Sequence, residues 1–278
     1  MFPRQVLDIL NADGTLMAFI CTTLPDCICN TLEANLLAAF GKSNMLIDRK
    51  MFKEDEMAAS EAGASGMVMK GDVLPFHCAH FTWYNRYTTP GDNAPTDVHP
   101  HNLRVARASC TNYSQFLPYP SREMVEHADL YRGMIANFGD LFEWIKNMIC
   151  QCLPEEYEFL IQYVDLLPGK PGSPVASFLS LVVNVNVCTL AHRDGKDLIY
   201  CLVLPLGDFK CGELVLKEQG LVVGLYSGDF MVFLSRDTTH FNLDYEGRRA
   251  SLVLHTDGEF ANWKETRNHW RNNVHFSG

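Results

Sequence analysis

Apolar residues change their spacing near residue 176, and the change divides the chain into two textures. Before it the repeats are helical. Leu32, Leu36, Leu37 and Phe40 recur every three to four residues and Gly41 follows as a stop, which predicts a helix within a largely helical stretch over residues 1–70. Residues 51–70 turn Met/Ala/Glu-rich and then Gly/Ser-rich, the composition of a frayed helix or a loop. Residues 71–120 hold aromatics, prolines and asparagines without a period, and Pro90-Gly91-Asp92 signals a turn. Such a long irregular stretch inside a compact domain is usually functional or disordered, and its density of tryptophan and tyrosine argues against plain disorder. Helix returns over 121–167. Ser121 can cap it, and Leu130, Met134, Phe138, Leu141, Phe142, Ile145 and Ile149 form one apolar face. Pro154 opens a further helix with Glu155 and Glu156 at its positive end.

From residue 176 the period shortens. SFLSLVVNVNVCTL, LIYCLVLPL, GELVLKEQGLVVGLYSGDFMVFL and RRASLVLHT are β-branched and aliphatic runs of strand length, separated by Gly- and Asp-containing turns. Several short strands in succession predict a β-sandwich or barrel over 176–256, covered by the earlier helices. The closing segment, FANWKETRNHWRNNVHF, predicts a short helix or tail.

With 278 residues, 47% of them apolar, the chain can bury a full core. No apolar run approaches the length of a membrane span, and the N-terminus lacks the pattern of a signal peptide, so the expected location is intracellular. The ten cysteines lie partly in apolar runs and are expected as buried free thiols. The Cys27/Cys29 and Cys150/Cys152 pairs lack the spacing of a structural zinc site. A formal charge of −10 gives no long-range attraction to a phosphate backbone, so a nucleic-acid partner would need a local basic patch.

His192-Arg193-Asp194 follows a strand. In extended chain, residues i and i+2 face one side, so an imidazole and a carboxylate converge. That is two-thirds of the facial triad that holds iron(II) and leaves positions open. The spacing recurs at His127-Ala128-Asp129 and His255-Thr256-Asp257. The former falls in an expected helix, where i and i+2 diverge, and the latter has no strand after it to carry a further histidine. After His192-Arg193-Asp194 come the strand FMVF behind a Gly-Asp turn, then His240, then Arg249-Ala250-Ser251. A guanidinium donates two parallel hydrogen bonds to a carboxylate, and the Ser251 hydroxyl can donate a third. This fits the distal carboxylate of 2-oxoglutarate, whose other end would chelate the metal and leave one position for O2. Arg248 is the alternative anchor; Arg249 shares its strand face with Ser251. Asn186 could bond the metal-proximal end of the keto acid or fill a gap in the core. Arg193 points away from its neighbours, toward a surface ion pair or a substrate phosphate.

These residues resemble the double-stranded β-helix 2-oxoglutarate oxygenases over roughly residues 176–257. Cys188-Thr189-Leu190-Ala191-His192-Arg193-Asp194 with the strand after it, Cys211-Gly212-Glu213-Leu214 and Gly228-Asp229 are most similar to the TET/JBP family of nucleic-acid base oxygenases, in its compact fungal and protist form. Cys211 stands where that family usually has the first glycine of its Gly-Gly-Glu-Leu turn. The resemblance does not extend to residues 1–110, and the cysteine-rich extension of the animal enzymes is missing. It implies an α+β fold, a jelly-roll core flanked by N-terminal helices, in one catalytic domain over 1–278: a flank to 175, the core, and a C-terminal segment from 258. It implies iron(II), 2-oxoglutarate and O2, with a ferryl group abstracting hydrogen from a methyl group on a DNA base. The methyl would be that of 5-methylcytosine, or an N-methyl lost by demethylation. The base would be flipped out of a duplex, and the protein nuclear. Cations beside aromatics, which suit an extruded base, concentrate at 80–107, with Arg86, Tyr87 and Arg104, and at 263–275. A 2-oxoglutarate hydroxylase of a protein or small molecule is the alternative, and a non-catalytic binding sandwich a third reading that the intact triad disfavours.

Overall fold

The structure, a computed structural model, describes residues 5–41, 46, 77–103, 115–169 and 172–276. The segment 51–70 and Arg104 lie outside these residues. In chain order the elements begin with strands β1 (Val6–Leu10) and β2 (Leu16–Cys21) and helices α1 (Asp26–Cys29) and α2 (Leu32–Phe40). Strands β3 (His77–Phe81), β4 (Trp83–Tyr84) and β5 (Tyr119–Pro120) follow. Helices α3 (Arg122–Glu126), α4 (Ala128–Cys152) and α5 (Pro154–Asp165) come next. The C-terminal half holds β6 (Ser180–Val185), β7 (Asp197–Cys211), β8 (Leu214–Leu216), β9 (Leu221–Val223), β10 (Phe230–Phe233), β11 (His240–Asn242), β12 (Tyr245–Asp257) and helix α6 (Phe260–Thr266).

The expected helical texture of residues 1–70 holds for α2, which Gly41 ends in the left-handed conformation at φ 62°. It fails for VLDIL and LMAFIC, which form β1 and β2. Apolar runs this short carry no period that separates strand from helix, and pairing with the sheet decides. The irregular stretch 71–120 likewise contains β3, paired along its whole length with β6. The helices of 121–167 form as expected. Ser121 accepts from the Met124 amide at 3.1 Å, and the apolar stripe of α4 faces inward, with Met134, Phe138, Leu141, Phe142, Ile145 and Ile149 buried.

The fold mixes helices with antiparallel sheets. Seven strands form the larger sheet in the order β1-β2-β10-β7-β12-β6-β3, and three form the smaller one in the order β11-β8-β9. Strand alternation sorts the side chains. Leu202, Leu204 and Leu206 of β7, Leu181, Val183 and Val185 of β6, and Ala250, Leu252 and Leu254 of β12 join the helices in one large core. Cys201 and Val203 point the other way, with Leu214, Leu216, Met231 and Phe233, into a second core that the smaller sheet covers. Each fully buried Leu or Val contributes about 1.5–3 kcal/mol, so a one-residue slip of β7 or β12 would forfeit both cores at once. Cys21, Cys188 and Cys201 are buried as expected, but Cys27, Cys150 and Cys211 are exposed. No helix among the described residues is long and apolar enough to cross a membrane.

Candidate metal centre

Between the sheets opens a cavity of about 760 Å³. Its floor is the outward row of the larger sheet: Val182 and Asn184 of β6, Cys201 and Val203 of β7, and Ser251, Val253 and His255 of β12. His192, Asp194 and His240 line the same cavity. Their ligand atoms, two imidazole nitrogens and a carboxylate oxygen, all lie within 4.8 Å of one another. Backbone pairing brings them there. The amide of His192 donates to the carbonyl of His240 at 3.1 Å, and the amide of His240 returns the bond at 2.9 Å. The Asp194 amide donates to Ser235 at 3.1 Å, which fixes the loop between β6 and β7.

The two rings are oriented alike. Nδ1 of His192 lies 2.6 Å from the carbonyl of Leu190, and Nδ1 of His240 lies 3.0 Å from that of Thr238. A carbonyl only accepts, so each Nδ1 carries the proton and each Nε2 is turned toward Asp194, at 3.8 and 3.4 Å. Burial, and then the neighbouring His240, lower the pKa of His192, so its Nε2 is bare at neutral pH. Burial pushes the Asp194 carboxyl up. The hydrogen bond and charge of His240, with His192 and His255 adding, outweigh this and hold it below the ordinary carboxylate value. Two imidazole nitrogens and a carboxylate oxygen turned to one point could hold a cation, and this donor set fits iron(II). Asp194 also groups with Asp197 and Cys201. There burial pushes the thiol far above its usual value, and Asp197 is already bonded to Ser235 and His255. That trio is a poor cation site.

Arg249 continues the cavity-facing row of Ser251, Val253 and His255 at its far end. It is 4% exposed, and Nη1 donates to the carbonyl of the cavity residue Val187 at 3.4 Å. Its guanidinium lies over the rings of Phe209 and Tyr245, at 5.4 and 5.6 Å, and is not itself part of the cavity lining. A Cβ on Gly212 would stand 3.4 Å from Arg249 Nε and 3.1 Å from Tyr245, so the glycine leaves room for this side chain. Arg248 faces the other way, paired with Glu33 of α2 at 3.3 Å. Asn186 lies past the end of β6 at φ 60°, outside the cavity lining, and Asn184 faces the cavity in its place. Alternation along a continuous strand would have brought both to one face; the left-handed residue breaks it.

The expected substrate residues divide. Arg86 lines the cavity but its guanidinium is ion-paired with the buried Asp257 and stacked on Tyr84 at 4.9 Å. Arg193 lines the cavity and pairs with Glu218 at 2.5 Å. Tyr87 is 75% exposed and outside the lining. His255, set aside as a ligand because no strand follows it, and His80, at the start of the 80–107 segment, line the cavity together with Asp197 and Cys78, which the sequence did not single out. For His255 the signal was present: it shares a strand face with Ser251.

No family model matches the chain, and no curated protein matches it. A solved structure of NgTET1 in complex with 5mC DNA superposes over 91% of this chain and 76% of that one, at 13% identity and a TM-score of 0.55. A 2OG-Fe(II) oxygenase family oxidoreductase from Burkholderia pseudomallei overlaps 28% of this chain and 43% of that one, at 25% identity and a TM-score of 0.26. A viral collagen prolyl hydroxylase from Paramecium Bursaria Chlorella virus-1 overlaps 28% and 57%, at 13% identity and a TM-score of 0.25. Overlaps as partial as these two carry no argument about the chain. What remains is the agreement with the first over most of both chains, and by it the chain has the fold of that TET structure.

Proposed function

We propose that this chain is an iron(II)- and 2-oxoglutarate-dependent dioxygenase that oxidises a methyl group on a DNA base. The observation that carries the reading is the convergence of His192, Asp194 and His240, with both Nδ1 atoms anchored on carbonyls and both Nε2 atoms turned to the carboxylate. The two sheets are read as a double-stranded β-helix within a single catalytic domain over 1–278. Membership of β1, β2 and β3 in the larger sheet supports one unit rather than a core and a detachable flank.

In this reading His192, Asp194 and His240 hold the metal. Arg249 and Ser251 receive the distal carboxylate of 2-oxoglutarate, with Asn184, rather than Asn186, on the cavity side of β6. Iron(II) with 2-oxoglutarate supplies O2-dependent oxidation of a C–H bond, the keto acid leaving as succinate and CO2. The protein's own part is to fix the ligand geometry, to favour the neutral form of His192 and the charged form of Asp194, and to shape the cavity that would receive the methyl group. The likeness to a TET structure determined with 5mC DNA supports a methylated base as substrate, and such a substrate would place the protein in the nucleus.

One observation favours the alternative, a hydroxylase of a protein or small molecule. The cavity arginines Arg86 and Arg193 are each paired with an acid of this chain, and the net charge is −10. Phosphates would have to displace those acids. Anaerobic iron(II) plus 2-oxoglutarate should give a visible charge-transfer band that His192→Ala and Asp194→Ala abolish. A band persisting in both variants would remove the metal assignment. Mass spectrometry of nucleosides after incubation with methylated duplex DNA then tests the substrate. No change in any methylated base, with succinate still formed on a peptide or metabolite, would favour the alternative.

A further inference from the structure

Glu218 sits at the tip of the β8–β9 hairpin, remote in sequence from every ligand, yet it touches both ligand-bearing segments. Its Oε1 accepts from Arg193 Nη2 at 2.5 Å and from Thr239 Oγ1 at 2.5 Å, and its Oε2 accepts from the Thr239 amide at 2.7 Å. Arg193 Nε closes the ring by donating to Thr239 Oγ1 at 2.9 Å. Arg193 lies between His192 and Asp194 in the chain, and Thr239 precedes His240. The hairpin tip is further fixed by the Lys217 amide, which donates to the Thr239 carbonyl at 2.9 Å.

We propose that Glu218 is a positioning residue of the metal centre, a clamp that adds to the backbone pairing by holding the His192–Asp194 segment against the His240 segment through Arg193 and Thr239. This rests on the reading of those three residues as metal ligands. The physical argument is one of leverage. The side chains of Arg193 and Glu218 are 52% and 37% exposed, and an exposed ion pair adds little to global stability. What the ring does constrain is the relative placement of two short segments whose side chains must present three ligand atoms to one point. Groups hydrogen-bonded directly to ligands change metal affinity about 10–100-fold when removed; Glu218 acts one residue further back, which places its effect at the lower end of that range. Hydrogen bonds from Thr239 first, and from Arg193, hold the Glu218 carboxyl down at about 2, so the clamp is charged throughout the neutral range. The role assigned to Arg193 is thereby structural, in place of contact with a substrate phosphate.

The test is anaerobic titration of the full chain with cobalt(II), read by its visible d–d absorption. Glu218→Ala and Thr239→Val are compared with the unaltered protein, and His192→Ala serves as the reference for a lost ligand. The expected result is a dissociation constant raised at least about tenfold in both clamp variants. Glu218→Gln should fall between, because its amide nitrogen cannot accept from the Thr239 amide. The Tm of the metal-free proteins should be unchanged. Clamp variants that bind cobalt as tightly as the unaltered protein, while His192→Ala does not bind, would overturn the clamp and leave the metal centre standing. An affinity loss matched by a fall in metal-free Tm would reduce Glu218 to ordinary structural support, and Thr239→Val alone decides the matter if Glu218→Ala does not fold. Equal cobalt binding by His192→Ala and the unaltered protein would remove the metal centre itself, and the clamp with it.

Discussion

The imidazole of His255 is held by the carboxylate of Asp197, Nδ1 to Oδ1 at 2.9 Å, while Ser235 donates to the other carboxylate oxygen at 3.0 Å. Burial disfavours the charged ring. The charge and hydrogen bond of Asp197, with Asp194 and Asp257 adding, outweigh it and raise the pKa of His255 above its ordinary value. A histidine whose folded pKa is raised contributes stability that is fully present below about pH 6.5 and is lost as pH rises through the folded value. The stability advantage of the metal-free protein over His255→Gln in denaturant unfolding should therefore shrink as pH rises through that window. Parallel pH profiles in the two proteins would contradict the ion pair.

Arg249→Ala should weaken 2-oxoglutarate binding at least about tenfold, because a carboxylate loses its charge-assisted partners. Arg248→Ala should leave that affinity unchanged, since its guanidinium pairs with Glu33. Equilibrium binding of 2-oxoglutarate to the two metal-loaded variants separates them. An unchanged constant in Arg249→Ala would move the anchor elsewhere.

Gly207→Ala should destabilise the protein by at least about 2 kcal/mol. Gly207 adopts φ 120° opposite Arg249 in the β7–β12 ladder, and an added Cβ would stand 2.2 Å from the Arg248 carbonyl oxygen. The ladder would have to open beside Arg249, so 2-oxoglutarate affinity should fall with stability. A variant with unaltered unfolding free energy would show that the two strands separate there at little cost.

Arg86→Ala should cost about 3 kcal/mol, because it strands the wholly buried Asp257 carboxylate without its partner. Restoring neutrality with Asp257→Asn in the same chain should recover part of the loss. A role for Arg86 confined to substrate would leave stability untouched, which urea denaturation would show directly.

Legibility in the sequence followed the range of the interactions involved. Arg249 and Ser251 are an i and i+2 pair on β12, so local geometry brings them to one side, and the short His-x-Asp spacing keeps His192 beside Asp194 even though both lie in the loop after β6. The stripe of α4 was legible for the same reason at helical spacing. What escaped was decided by distant partners. VLDIL and LMAFIC become strands because β10 offers β2 a register, Phe230 opposite Cys21 through Phe233 opposite Ala18. Asn184 faces the cavity as alternation requires, and Asn186 leaves that row because β6 ends at Val185 and Asn186 itself turns left-handed. Arg86 reads as a free cation until Asp257 arrives from elsewhere in the chain, whereas the surface ion pair expected as one role for Arg193 is present and only its partner, Glu218, could not be named. Cys211, where the resembling family has glycine, takes φ 62° and so reproduces the backbone that glycine would supply.

The placing of β2 against β10, and of β3 against β6, has a consequence for anyone cutting the chain. A fragment beginning near residue 176 would contain every proposed metal ligand and Arg249, yet both flanks of its main sheet would be stripped. Bare amides and carbonyls along Phe230–Phe233 and Ser180–Val185 would then be open to pair with other copies. Such a minimal fragment should precipitate or form fibrils rather than report on chemistry, so expression trials are better begun upstream of β1.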